Sequence, residues 1–239
     1  MRRPEAAETY EVRQYLLGDG GNAAVVDDYL QNALLPALSR VGVGPVGVLH
    51  PHASDQMGID AIFVIIPYQD ANQVDTVRRA LMLDTEYQSA ATEYLTTTKK
   101  TAAYQRIRSE LLVAMDCWPN VTVSDRATSN PDRVFELRLY ESSNERLGDL
   151  KVDMFNSGEV PIFLDCGIQP IFIGQCILGP QMPSLTYLTT YESEEARLAA
   201  WKAFPKHPDW QTLKVVPKYR GTVSHIDKFV LQPKSYSQM

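Results

Sequence analysis

The chain has 239 residues, of which 44% are hydrophobic and 22% are charged, a composition typical of a globular protein with a full core. No apolar run approaches the roughly 18 residues that cross a bilayer, which argues against a membrane span. The formal net charge is -6, and the Lys and Arg residues are scattered among more numerous acids. This charge distribution disfavours nucleic acid as a partner.

The N-terminus and the cysteines bear on the cellular compartment. A twin arginine at positions 2 and 3 can belong to an export signal, but Glu5 and Glu8 follow where such a signal needs an apolar stretch. A short disordered tip is the favoured interpretation, and an export signal absent from this sequence stays open. Three cysteines without C-x-x-C spacing fit neither a disulfide scaffold nor a zinc site. We therefore expect a cytoplasmic protein.

The chain contains an internal repeat at an offset of 125 positions. Seven residues between positions 11 and 45 recur without a gap, where ordinary composition would give roughly two. The matched pairs are Glu11 and Glu136, Arg13 and Arg138, Tyr15 and Tyr140, Asp28 and Asp153, Pro36 and Pro161, Gly42 and Gly167, and Pro45 and Pro170. After a two-residue slip, Tyr68, Tyr87 and Gln88 match Tyr191, Trp210 and Gln211 at an offset of 123.

The first copy opens with residues 10–16, whose alternation predicts a strand. A helix over about 22–41 follows, with an apolar stripe, a kink at Pro36 and an end at Gly42. The remaining elements are strands at about 45–51 and 59–67, a helical region at about 71–95 and a last strand at about 104–115.

The second copy repeats this order. Its predicted strands lie near 133–141, 170–178, 185–191 and 222–231, and its helical segments near 145–165 and 193–215. The order β-α-β-β-α-β predicts a ferredoxin-like α+β unit, with both helices on one face of an antiparallel sheet. We predict a first repeat over 8–116, a linker over 117–132 and a second repeat with a C-terminal tail over 133–239. Each sheet leaves one face bare, so the two repeats are expected to close an α+β barrel within the chain.

Candidate site residues follow from assigning strand faces. Val12 and Leu16 are expected to face the helices, which would turn the recurring Glu-Arg-Tyr triplets into the barrel lumen. On the last strand of each copy, Ile107 and Ile226 are expected to face the helices. The residues predicted to line the lumen are Glu11, Arg13, Tyr15, Arg106, Arg108, Glu136, Arg138, Tyr140, His225 and Asp227.

Two interpretations of these residues stay open. In the first, the Glu-Arg pairs are partly buried ion pairs that hold the sheets together, and their presence in both copies favours this structural role. In the second, the arginines bind an anionic ligand and a tyrosine or histidine transfers a proton. His225 is then the candidate catalytic residue, because imidazole titrates nearest neutral pH and Asp227 lies two residues along on the same strand face.

Several well-defined motifs are missing from the sequence. It has no G-x-G-x-x-G, no P-loop, no G-x-S-x-G and no H-E-x-x-H. His50 and His52 flank a proline, and no third ligand stands at a metal-binding spacing from them. We expect no cofactor and no metal.

The motifs of both copies resemble the NIPSNAP family. The motif-bearing segments are residues 10–15 and 135–140 (Y-E-L-R-x-Y-like), 191–197, 201–204 (W-x-x-F), 208–210 and 231–237. The resemblance implies a dimeric α+β barrel fold and no single established reaction. In the first helix, Asn32 and Ser157 stand where family members often carry a histidine, and the first copy has residues 79–83 in place of W-x-x-F.

Two hypotheses for function follow. The first is binding of a small anionic or aromatic molecule in the lumen, with cofactor-free oxygenase or isomerase chemistry as its enzymatic form. The second is a structural or interaction protein whose lumen is filled by its own side chains. The sequence does not choose between enzyme and non-enzyme, and homo-oligomerisation stays open.

Overall fold

The structure is a computed structural model that describes residues 7–124 and 129–239. The tip at residues 1–4 therefore lies outside the described residues. The strands are β1 (Thr9–Leu16), β2 (Gly47–Pro51), β3 (Ala61–Tyr68), β4 (Arg106–Ala114), β5 (Val134–Glu141), β6 (Gln169–Leu178), β7 (Ser184–Tyr191) and β8 (His225–Pro233). The α-helices are α1 (Ala23–Asp28), α2 (Leu35–Arg40), α3 (Ala71–Leu83), α4 (Thr85–Ala90), α5 (Thr92–Leu95), α6 (Glu145–Met154), α7 (Val160–Asp165), α8 (Glu194–Ala203) and α9 (Pro208–Leu213). Within the described ranges, no helix is long and apolar enough to span a membrane.

These strands form one closed antiparallel barrel in the order β1-β3-β2-β8-β5-β7-β6-β4. The first copy supplies the run β4-β1-β3-β2, and the second supplies β8-β5-β7-β6. The copies meet at two seams, β2 with β8 and β4 with β6. The predicted fold, two ferredoxin-like repeats closing an intrachain barrel, is confirmed. The repeat boundaries at 8–116, 117–132 and 133–239 stay predictions.

Each first helix widens one turn ahead of its proline. A π-helical segment at Tyr29–Leu34 precedes Pro36, and another at Phe155–Glu159 precedes Pro161. Proline donates no N–H, and its ring clashes with the carbonyl four residues earlier. A wider turn relieves both problems, so the expected kink takes the form of a local π-helical segment.

Glycine ends the first helix of each copy, as predicted. Gly42 has a φ of 72° and Gly167 has a φ of 79°, in the left-handed region that a residue with a Cβ rarely adopts. This turn lets the Val43 N–H donate to the Leu38 carbonyl at 2.9 Å. The bond closes the helix C-terminus in the manner of a Schellman motif.

The second helical regions begin in matching ways. Asp70 caps the N-terminus of α3, and Ser193, 123 positions later, caps α8. Asp84 caps α4, and His207, again 123 positions later, caps α9. The structure therefore gives each residue of α3 and α4 a counterpart at an offset of 123.

The barrel lumen is filled by apolar side chains from both copies. An eight-stranded barrel leaves an interior just wide enough for side chains. The large buried members of this lumen core are Tyr10, Val12, Phe63, Ile65, Leu112, Phe135, Leu137, Phe172, Leu188, Phe229 and Leu231. Two further cores lie between each half of the barrel and its own helices.

We expect that a fragment of residues 1–120 will not form a stable monomer. Half of the lumen core comes from the second copy, so the fragment would expose a wide apolar sheet face. Size-exclusion chromatography with light scattering should show aggregates or self-association. A monomeric fragment with cooperative urea unfolding would contradict the mutual dependence of the two copies.

Candidate functional site

The Glu-Arg-Tyr triplets lie on the helix-facing side of the barrel wall. Tyr15 belongs to the core beneath the first-copy helices, whereas Val12 belongs to the lumen core. Tyr140 packs beneath the second-copy helices. The lumen position predicted for six residues is therefore wrong: Glu11, Arg13, Tyr15, Glu136, Arg138 and Tyr140.

The error has a physical cause. Each sheet is buried on both faces, so the alternation of residue types does not show which face meets the helices. Residues directly opposite in antiparallel strands share a face, and the register pairs Tyr15 with Ile107 and Arg13 with Ser109. Because Ile107 faces the helices, the triplet must face them as well.

The polar residues predicted on the last strands lie at one end of the barrel. Arg108 and Asp227 border a pocket of about 570 Å³ together with Gln181. Arg106 is exposed at the start of β4. The His225 side chain is 60% exposed, with its Nε2 atom 2.9 Å from Asp227 Oδ1. His225 thus lies at the open rim of the barrel, and its catalytic role stays a prediction.

His225 and Asp227 also belong to a potential metal-ligand cluster. Together with Glu141 they offer ligand atoms within 4.8 Å of one another. The Gln181 amide nitrogen donates to Glu141 at 2.7 Å and to Asp227 at 2.9 Å. An amide therefore already bridges the two carboxylates, as a cation otherwise would.

The candidate site is a cavity of about 680 Å³ between the first-copy sheet and its helices. Its aliphatic lining comes from the first helix, α3, α5, β3 and β4. The exposed side chains of Met82 and Leu178 line it as well, so second-copy strand β6 contributes to a first-copy site. Its uncharged polar lining residues are Tyr29, Tyr68, Tyr87, Gln88 and Ser109. Its charged lining residues are Glu11, Arg13, Arg78 and Glu110.

Glu11 and Arg13 form the polar centre of this cavity. Arg13 Nε and Nη2 donate to the two Glu11 carboxylate oxygens at 2.8 and 3.0 Å. The Tyr68 and Ser109 hydroxyls donate to the same carboxylate at 3.2 and 2.7 Å. Burial acts to raise the pKa of Glu11, but the Arg13 charge and these hydrogen bonds lower it below its ordinary value. Glu11 is thus a fully bonded anion that holds Arg13 in place.

Aromatic rings occupy the corresponding space in the second copy. The counterparts of Arg78 and Leu81 at an offset of 123 are Trp201 and Phe204. The Trp201 ring centre lies 5.7 Å from that of Phe204 and 4.0 Å from the Arg138 guanidinium carbon. The first-copy cavity therefore opens where smaller or outward-pointing side chains replace an indole and a phenyl ring.

The second copy also buries an ion pair that sequence reasoning missed. Lys151 Nζ lies 2.7 Å from Glu159 Oε2, and both side chains are at most 5% exposed. At an offset of 125 their first-copy counterparts are Val26 and Leu34. The repeat alignment could have singled them out, because charged residues there replace apolar residues on the core stripe of the first helix.

Glu110 is a second buried group that the sequence analysis did not single out. It pairs with Val12 across β1 and β4 and therefore faces the lumen. Burial raises the pKa of its carboxyl group to about 7. The nearby Thr186 hydroxyl acts to lower this pKa, although its geometry does not meet that of a hydrogen bond. Its counterpart across the repeat, at the same register position of β8, is Phe229.

This architecture is that of the dimeric α+β barrel proteins, and here both halves of the barrel belong to one chain. Residues 135–238 match the NIPSNAP family. The resemblance to the NIPSNAP family that the motifs indicated is thus confirmed for this half of the chain. No curated protein matches the sequence significantly.

Solved structures similar to this chain cover nearly all of it. A protein of Lactobacillus acidophilus NCFM named "putative monooxygenase" is 11% identical, with a TM-score of 0.61 over 95% of this chain and 94% of that one. A protein of the same name from Fusobacterium nucleatum is 8% identical, with a TM-score of 0.61 over 96% and 94%. An anthrone oxidase-like protein is 10% identical, with a TM-score of 0.50 over 96% and 92%. At such identities the likeness shows the fold alone.

We expect Trp201→Ala to lower the free energy of unfolding by about 3 kcal/mol, through lost packing and the cavity it leaves. The matched control is Arg78→Ala at the corresponding first-copy position, where the side chain is 63% exposed and the change should stay within about 0.5 kcal/mol. Urea unfolding measures both values. Equal effects would contradict the assigned difference between the two copies.

Glu110→Gln should stabilise the protein in a pH-dependent way. The folded-state pKa of about 7 exceeds the ordinary value of 4.5, so the folded state holds this proton more tightly than the unfolded chain. Stability from this group is therefore lost as pH rises from 4.5 through 7. Urea unfolding should show little difference from wild type at pH 4.5 and a gain of up to about 3 kcal/mol at pH 8.

The exposed Glu93→Gln serves as the control, and its effect should not follow this pH dependence. A Glu110→Gln effect that is the same at both pH values would contradict the assignment of a neutral buried carboxyl.

Proposed function

We propose that this protein binds a small molecule with an apolar body and an oxygen acceptor in the cavity beneath its first-copy helices. The carrying observation is the replacement of Trp201 and Phe204 by Arg78 and Leu81, which leaves about 680 Å³ next to a positioned guanidinium. That volume lies within the usual range of small-molecule sites. Such sites combine mostly apolar walls with a few placed polar groups, as this one does.

Arg13 is the group best placed to recognise a ligand oxygen. Its bonds to Glu11 and Tyr15 use three of the five guanidinium N–H donors. The two remaining donors can bind a carboxylate, phenolate or carbonyl oxygen. Tyr68 and the hydrogen-bonded hydroxyls of Tyr29 and Tyr87, 3.0 Å apart, supply further polar contacts.

Oxygenase or isomerase chemistry is the finer form of this proposal. Either reaction needs a base for a substrate proton. Glu11 is poorly suited to that role, because its lowered pKa and four hydrogen bonds favour the bonded anion. Arg13 suits the other half of such a reaction, since a cationic donor that lines the cavity can stabilise an oxyanion. Binding is therefore the function that the side chains support most directly.

The alternative, a non-enzymatic structural or interaction protein, draws support from the filled lumen. It does not account for the cavity on the other side of the sheet. A cytoplasmic location, independence from nucleic acid and any homo-oligomer remain predictions from the sequence.

The test is a thermal-shift screen of small carboxylates, phenols and ketones against wild type and Leu81→Phe. The variant places in the cavity the ring that Phe204 supplies in the second copy. We expect ligands that raise the melting temperature of wild type to lose most of that effect in the variant. Leu83→Phe, two residues along and 84% exposed, is the matched control and should keep the full shift. Hits that stabilise all three proteins equally would place binding elsewhere.

A further inference from the structure

We infer that the ligand of this cavity is a planar aromatic molecule that stacks on Arg13, where it takes the position that the Trp201 indole holds over Arg138. The inference rests on the proposed binding function and specifies its ligand class. It comes from comparing the two copies of the unit within one molecule.

The two arginines occupy equivalent positions. Arg13 in β1 and Arg138 in β5 are 125 positions apart, and each is paired with the glutamate two residues before it. Arg13 lies opposite Val64 of β3, and Arg138 lies opposite Tyr187 of β7, which is 123 positions beyond Val64. The same strand register thus presents both guanidiniums to the same part of the helix layer.

In the second copy an aromatic side chain covers the guanidinium. The Arg138 guanidinium carbon lies 4.0 Å from the centre of the Trp201 ring and 5.6 Å from that of Tyr140. A guanidinium is planar and weakly hydrated on its faces, and its hydrogen-bond donors lie along its edge. Stacking on an indole therefore accommodates the buried cation without removing its ion pair with Glu136.

In the first copy, no aromatic side chain stands at the position of Trp201. Arg78, the counterpart of Trp201, pairs with Asp75 at 2.9 Å, and its side chain is 63% exposed. The bonds of Arg13 to Glu11 and Tyr15 hold the edge of its guanidinium and leave the faces for stacking. Among the described residues, no aromatic ring is recorded over Arg13 as Trp201 is over Arg138.

The rest of the cavity suits a flat ring with one oxygen acceptor. Val77 and Leu81 contribute apolar wall on the helix side, and Ile66 contributes it on the sheet side. The two remaining N–H donors of Arg13 lie at the edge of the guanidinium, so an acceptor on the rim of the ring can reach them. These features favour an aromatic carboxylate, phenol or ketone over a flexible aliphatic chain.

The experiment compares two carboxylates with the same bicyclic carbon skeleton, the planar aromatic 2-naphthoate and its saturated, non-planar analogue decahydro-2-naphthoate. Isothermal titration calorimetry measures both against wild type, Arg78→Trp and Arg78→Ala. We expect wild type to bind 2-naphthoate about tenfold more tightly, the order of effect that an arginine–aromatic stack produces. Arg78→Trp supplies its own indole and should abolish 2-naphthoate binding, whereas Arg78→Ala should retain it.

Each other outcome overturns the inference in a distinct way. Equal affinity of wild type for both probes, lost in Arg78→Trp, would show a binding cavity without stacking, so the proposed function would stand and the aromatic class would fail. Undiminished binding by Arg78→Trp would place the probe elsewhere. If neither probe binds wild type, the aromatic inference fails, and the Leu81→Phe screen alone decides the proposed function. Should Arg78→Trp not fold, Leu81→Phe replaces it as the cavity-filling variant.

Discussion

The width of an eight-stranded barrel decides where this chain can place its polar groups. Such a barrel has room at its centre for side chains and little else. Two sheets that bury their bare faces against each other fill that room mostly with apolar residues. The Glu-Arg-Tyr triplets consequently lie on the outer side of the barrel wall. There, each copy buries them beneath its own helices, and in the first copy Arg13 hydrogen-bonds both carboxylate oxygens of Glu11.

The helix layer, by contrast, is free to differ between the copies. The lumen is shared, so a change there disturbs both sheets, whereas the space under one pair of helices concerns that copy alone. The second copy has filled its space with Trp201 and Phe204 and with the buried pair of Lys151 and Glu159. The first has Arg78, Leu81, Val26 and Leu34 in the corresponding positions and retains an open cavity. The two copies thus use the space next to the recurring arginine differently, one for packed aromatic rings and the other for a cavity.

The sequence predicted the fold better than it predicted the site. The 125-residue repeat, the strand alternation and the glycine helix ends led directly to the observed topology. Face assignment failed because both sides of each sheet are buried, and neither Val12 nor Glu11 indicates by itself which side meets the helices. The cavity was also beyond direct prediction, since it depends on the arrangement of α3 against the sheet. The sequence nevertheless contained an indication of the cavity, because the first copy lacks the W-x-x-F motif of the second.

The glutamate–arginine pair links the structural and functional roles that the sequence left open. It recurs in both copies because a buried guanidinium needs an anion on its edge, whatever lies above its face. In the second copy the Trp201 ring covers the guanidinium of Arg138. In the first copy the same ion pair leaves the face of Arg13 and two of its N–H donors available. The recurring arginine thus serves as a packing element in one copy and can serve as a binding group in the other, where Arg78 and Leu81 stand at the positions of Trp201 and Phe204.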